Sequence, residues 1–197
     1  KMGGLLHILP FTYTMFLIGS FALLGLPFLS GYYSKDFILE LSFATYTIPG
    51  HFAYALGSLA AFFTAFYSVR LLLLTFFGKT NAYKQVILKA HDAPSLIAVP
   101  LFILSILSIF VGYFFRDMAV GLGSDFWGNA LALCFSNNYL MDAEFLPFIV
   151  KLLPLICAGL GVLLATFIYN WLTSYLNSLV FKDFFRNVYT FLNKKWL

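Results

Sequence analysis

Charge is what this sequence has least of. Of its 197 residues only 10% are Asp, Glu, Lys or Arg, while 61% are apolar; an ordinary soluble domain is about 25% charged and about 45–50% apolar. A water-soluble fold of this length leaves roughly a quarter to a third of its surface wet, which so few polar side chains cannot cover. A soluble globular core is therefore excluded, and lipid is the solvent that resolves the conflict. Cysteine is also scarce: Cys134 and Cys157 form no CxxC or metal spacing and read as ordinary thiols. His7, His51 and His91 lie at segment ends or in loops, none at ligand spacing from another His, Cys or acid, so no metal is assigned. No GxGxxG or Walker loop supports nucleotide binding. No Ser/His/Asp or Cys/His set can be assembled. The few charges among aromatics are explained by membrane interfaces, not by nucleic acid. The apolar stretch after Lys1-Met2-Gly3-Gly4 is too long for a secretory signal. Lys before Met leads to the expectation that the chain continues something upstream, or belongs to a longer or divided gene product.

What the sequence has is long apolar runs, over about 11–41, 52–77, 96–115 and 145–172. A helix needs roughly 20 residues to cross the hydrocarbon. The last three runs fit one crossing each, with some tilt. The first is too long for one straight span and holds Gly25, Pro27 and Gly31 in its middle. Proline removes an intrahelical donor and clashes with the preceding turn. The expected result is a discontinuous helix: a first half to about Leu26, an irregular stretch near Pro27–Gly31, and a second half from about Tyr32 to Leu41. Irregular backbone at membrane depth is tolerated only where protein or water surrounds it; a kinked helix with no role is the alternative. The fold class is thus all-α integral membrane, with about four transmembrane helices over 1–172, the first one discontinuous. Some of the 25 Phe and 12 Tyr should form interfacial belts.

Four crossings put Lys1, the 78–94 loop and the tail after Leu172 on one side, with Lys79, Lys84, Lys89, Lys182, Arg186, Lys194 and Lys195 against Asp92 and Asp183. The other side has the nearly uncharged 42–51 loop and the 116–144 loop, where Arg116 faces Asp117, Asp125, Asp142 and Glu144. The positive-inside rule places both termini in the cytoplasm or matrix. The tail, 173–197, is basic and amphipathic. It either lies along the interface, attracted to anionic lipid, or packs on a neighbouring subunit.

The chemistry sits at Lys35-Asp36 with Glu40, directly after the expected break. A lysine in a spanning segment costs about 2.5–3.5 kcal/mol on insertion scales, and such residues often mark ion or proton pathways. A desolvated lysine can lose its proton near neutral pH, as a proton carrier must. Asp36 and Glu40, four apart, share a helix face. Broken helices beside ionisable clusters are how many ion transporters build a site. On the alternative reading the first crossing ends near Gly31 and all three residues are solvated at the far surface. Arg70 is the second intramembrane charge. Always charged, it needs a partner, Asp36 or Glu40 by topology, or else snorkels toward the basic loop. Lys151 is read as snorkelling to the interface near Glu144.

The sequence resembles a known family in the runs Lys1-Met2-Gly3-Gly4-Leu5, Pro10-Phe11-Thr12-Tyr13 and Gly25-Leu26-Pro27-Phe28-Leu29-Ser30-Gly31-Tyr32-Tyr33-Ser34-Lys35-Asp36. Further matches are Tyr67-Ser68-Val69-Arg70-Leu71, His91-Asp92-Ala93-Pro94, Phe110-Val111-Gly112-Tyr113, Gly121-Leu122-Gly123-Ser124-Asp125-Phe126-Trp127 and Asn193-Lys194-Lys195-Trp196. They are similar to the largest antiporter-like subunit of respiratory complex I, NADH dehydrogenase subunit 5, most of all in mitochondrial versions from plants and protists.

The resemblance implies that the first run is the family's discontinuous twelfth helix and the others its helices thirteen to fifteen. Lys35 would be the protonatable lysine at the distal end of a central polar axis. Asp36 would lie in the same exit region, Arg70 would match a charged residue of the thirteenth helix, and the tail would lead toward a lateral helix. It implies a mitochondrial inner-membrane location with both ends of this segment in the matrix, and a proton-translocating part of NADH:ubiquinone reductase. No redox cofactor is expected in this chain, with flavin and iron–sulfur clusters elsewhere in the complex. Expected partners are other membrane-arm subunits, above all the neighbouring antiporter-like subunit, the remainder of the same subunit, and lipids. The family's first eleven helices, with a Glu–Lys pair and central His/Lys residues, and its lateral helix have no counterpart in these residues. The alternatives are an Mrp-type cation/proton antiporter subunit and a non-transporting membrane scaffold.

Overall fold

The computed structural model describes residues 2–78, 80–119, 126–128, 139–172, 187, 190 and 191. The expected amphipathic segment 173–197 falls almost wholly outside them, as do Cys134 and most of the 120–138 stretch. The described residues form an all-α membrane protein. A short 3-10 turn, Leu5–His7, precedes α1 (Pro10–Leu24), α2 (Ser30–Ala44), α3 (Ile48–Phe76), α4 (Lys84–Lys89), α5 (Ser95–Ala119), α6 (Tyr139–Glu144) and α7 (Phe148–Phe167), which runs into a π turn at Ile168–Leu172. Ile48–Phe76, Ser95–Ala119 and Phe148–Trp171 are long and apolar enough to cross a membrane, and Pro10–Leu24 is a shorter apolar helix.

The first long apolar run is therefore two helices, and the residues at the break explain why. Pro10 opens α1 at a position where its missing N–H is not needed. Gly25 closes it in the left-handed region, at φ 79°, where a Cβ would be strained. The Gly25 N–H donates to the Ala22 carbonyl and the Leu26 N–H to the Phe21 carbonyl, the paired bonds of a Schellman ending. Pro27 follows and cannot continue the helix. Phe28 also sits at positive φ, 75°, so a second residue holds the turn. Gly31 lets the first turn of α2 approach the last turn of α1: a methyl there would run into the carbonyl of Ala22.

Protein surrounds one side of this break. Leu24 packs with Ala65 of α3 and Ala158 of α7, joined by Leu26 and Val162. Small residues let α3 and α7 lie close; a Cβ on Gly161 would meet the Phe62 carbonyl. At the far end of α2, Ala44, Ala143 and Leu146 form a second cluster with Leu41, Phe43 and Val150. The outward faces of α5, including Leu96, Phe102 and Leu104, are exposed, as lipid-facing surface requires.

At the other end, the N-terminus of α1 has free backbone donors, and Asp92 of the α4–α5 connection satisfies them. Its carboxylate accepts from the Phe11 N–H at 2.8 Å, the Thr12 N–H at 3.2 Å, the Thr12 hydroxyl at 2.6 Å and the Ala93 N–H at 2.9 Å. These bonds, that from the Thr12 hydroxyl above all, hold the Asp92 carboxyl below its ordinary range.

Candidate functional site

Lys35 lies in the second turn of α2, just past the break, with its stem beneath Gly25. Its amine donates to the Thr64 hydroxyl at 3.2 Å. Thr64 is well inside α3, which runs for 29 residues from Ile48 to Phe76. At ~1.5 Å per residue it stands roughly 24 Å from one end of that helix and roughly 18 Å from the other. The amine is thus held against the middle of a helix long enough to cross the hydrocarbon, and not at its rim. A lysine side chain leans toward its helix N-terminus, which here points at the break.

Asp36 is buried, 7% exposed, between α2 and its neighbours. Its Oδ2 accepts no hydrogen bond among the described residues. A buried carboxylate oxygen without a donor is costly, so this atom is a place where a proton or a water has a bond to make. Asp36 interacts electrostatically with Lys35 and with Glu40 one turn on, and Glu40 with Lys151 of α7 and Arg116 of α5. The Lys151 amine donates to the backbone carbonyl of Glu144 at 2.8 Å, and Arg116 lies 5.7 Å from the Tyr33 ring centroid. The polar groups thus run from mid-helix toward the end of the bundle where α5 stops and α7 starts. A cleft of ≈ 360 Å³ opens on the adjoining face of α2, lined by Ser30, Tyr33, Ser34, Arg116, Asp117 and Glu144 among others.

Of the residues singled out in the sequence, Lys35, Asp36 and Glu40 come together. Arg70 does not join them. It occupies the exposed face of α3, 6.0 Å from the ring centroid of Tyr169 on the π turn. The expected pairing with Asp36 or Glu40 is corrected on two grounds. Buried Ser68, Val69 and Leu72 mark the packed face of that turn, and Arg70 sits six residues beyond Thr64, away from the acids. Its interaction is a cation–aromatic one.

Sequence reasoning missed the hydroxyls of α3. Tyr54 donates to the Val150 carbonyl at 2.7 Å, Ser58 to the Tyr54 carbonyl at 2.8 Å, Thr64 to the Ala61 carbonyl at 2.9 Å and Ser68 to the Thr64 carbonyl at 2.7 Å. Tyr54, Ser58 and Ser68 are buried. A signal was available: two hydroxyl pairs at i,i+4 spacing, 54 with 58 and 64 with 68, lie within an apolar run. Among the described residues no group of three or more His, Cys, Asp or Glu could hold a metal.

Residues 1–64, which contain the break, Lys35 and Thr64, match the family model described as NADH:quinone oxidoreductase/Mrp antiporter, TM. The whole chain aligns with proteins named NADH-ubiquinone oxidoreductase chain 5. It is 53% identical to that of Phytophthora infestans over 196 residues, covering 100% of this chain and 30% of the relative. It is 48% identical to that of Marchantia polymorpha over 197 residues, covering 100% and 29%. Against that of Arabidopsis thaliana it is 45% identical, again covering 100% and 29%. With end-to-end similarity at this level, the chain belongs to the NADH-ubiquinone oxidoreductase chain 5 family, spanning about 30% of the length of the relatives it matches.

Proposed function

We propose that this chain is part of the distal proton-translocating, antiporter-like subunit of NADH:ubiquinone oxidoreductase in the mitochondrial inner membrane. Lys35 is its proton carrier. The charged amine releases one proton toward Asp36 and Glu40, and the neutral amine takes up one from the opposite side, so each cycle moves one proton past the break. The observation that carries this reading is the Lys35 amine bonded to Thr64 at mid-helix, beneath the interrupted backbone. Glu40, with Lys151 and Arg116 about it, forms the exit end. Arg70 stands outside this path.

The chain performs no redox step in this reading; flavin and iron–sulfur centres belong to other subunits. Its partners are the remainder of the subunit, the neighbouring antiporter-like subunit, other membrane-arm subunits and lipid. The basic 78–94 loop supports a matrix location for the start of the segment and its tail. Replacing Lys35 by Ala should leave the complex assembled while lowering proton pumping and NADH:quinone turnover; normal pumping in that variant refutes the role. The family description also names the Mrp antiporters. Transport that depends on sodium, with no flavin or iron–sulfur protein copurifying, would favour that second reading.

A further inference from the structure

We propose that Thr64 is the positioning residue for the Lys35 amine, holding it on a neutral acceptor and away from the neighbouring carboxylates so that it stays free to release its proton. This rests on the proton-carrier reading of Lys35. Lys35 is adjacent to Asp36, and Glu40 lies one turn beyond Asp36. An ion pair with either acid would hold the amine in its charged form. Instead the amine reaches across to α3. Its hydrogen bond is to Thr64 at 3.2 Å, and among the described residues neither Asp36 nor Glu40 forms an ion pair with it.

Thr64 suits this task because its own proton is already committed. The hydroxyl donates to the Ala61 carbonyl at 2.9 Å, so it presents a lone pair to the amine. Charged and neutral amines both carry an N–H for that acceptor, and the contact persists through the cycle. A carboxylate would instead favour the charged form strongly.

Among the described residues the groups facing the amine are few. Asp36 is the charge that acts on it directly. Glu40 lies beyond, with Lys151 of α7 and Arg116 of α5 around it. Tyr54 of α3, with Cys157 of α7 near it, adjoins the two acids. α1 carries no charged residue.

The test uses the assembled complex with Thr64→Val, Thr64→Ala and Thr64→Ser beside Lys35→Ala, reading the rate of proton pumping against pH. Loss of one such hydrogen bond should lower pumping by about two- to tenfold in the Val and Ala variants. Their pH–rate profiles should move to higher pH, because an amine that settles on an acid holds its proton longer. Thr64→Ser should restore both rate and profile. Thr64→Ala only removes atoms, so it keeps the test valid if the Val variant assembles poorly. Parental rate and profile in Thr64→Ala, with Lys35→Ala defective, overturn the positioning role and leave the carrier reading standing. Normal pumping in Lys35→Ala overturns both. A lowered rate that Ser does not rescue, with an unchanged profile, overturns the positioning role as merely structural.

Discussion

Replacing Gly31 by Ala tests whether the close approach of two helices is what sets the carrier's height. The added methyl would collide with the Ala22 carbonyl oxygen and lie 2.9 Å from the carbonyl carbon. Packed carbon atoms sit ~3.5–4.0 Å apart, so the carbonyl carbon alone requires the last turn of α1 and the first turn of α2 to separate by roughly 0.6–1.1 Å, and the nearer oxygen requires more. Overpacking of this kind costs about 1–3 kcal/mol. Against it stands the gain from replacing Gly within a helix, about 0.5–1 kcal/mol. Gly159→Ala on α7 isolates the difference, because a Cβ there meets nothing within 4 Å. That control should gain the propensity term alone, leaving the two variants apart by about 1–3 kcal/mol. Unfolding of the detergent-solubilised chain, followed by helicity, gives the stabilities, and pumping by the assembled complex gives the consequence. Lys35 lies one turn from Gly31, so the same displacement should break its 3.2 Å bond to Thr64 and lower pumping. If Gly31→Ala is as stable as Gly159→Ala and pumps normally, the two backbones do not meet as described.

Gly25→Ala probes a different property of the same break. The space is open, with Lys35 Cδ at 3.8 Å, but the residue must stay at φ +79°. The expected loss is about 1–2 kcal/mol of backbone strain, measured in the same unfolding experiment. Acid titration tests the Asp92 clamp. Hydrogen bonds hold this carboxyl below its ordinary value of 3.8 in the folded chain. Its contribution is therefore fully present above that value and lost as pH falls through the depressed one. Thr12→Ala removes the foremost of those bonds and should move the loss to higher pH. An acid transition identical to that of the parent chain would refute the clamp.

Residue types alone announced the break. Gly25 and Pro27 can end a helix in any surroundings, because one supplies the left-handed closing residue and the other forbids continuation. The Lys35-Asp36 pair announced itself in the same way, as charge where the neighbouring residues are apolar. Arg70 was announced equally loudly, yet its surroundings stayed open between the two acids and the basic loop. Sequence fixes which helix an arginine belongs to, but its face and height relative to another helix depend on how the two pack. The α3 hydroxyls were overlooked because Ser and Thr are unremarkable in membrane helices until a cation is found beside one.

The sequence by itself made this an all-α membrane protein with an interrupted first segment, because apolar runs of that length have one solvent that suits them and Gly25 and Pro27 stand inside the first. Tertiary structure alone decided that Lys35 meets Thr64, that Arg70 turns outward to Tyr169, and that Asp92 closes a helix about 80 residues away. Those outcomes depend on the rotation and axial register of one helix against another. Small residues at the contacts, such as Gly31 and Gly161, set that register, and no single helix contains the information.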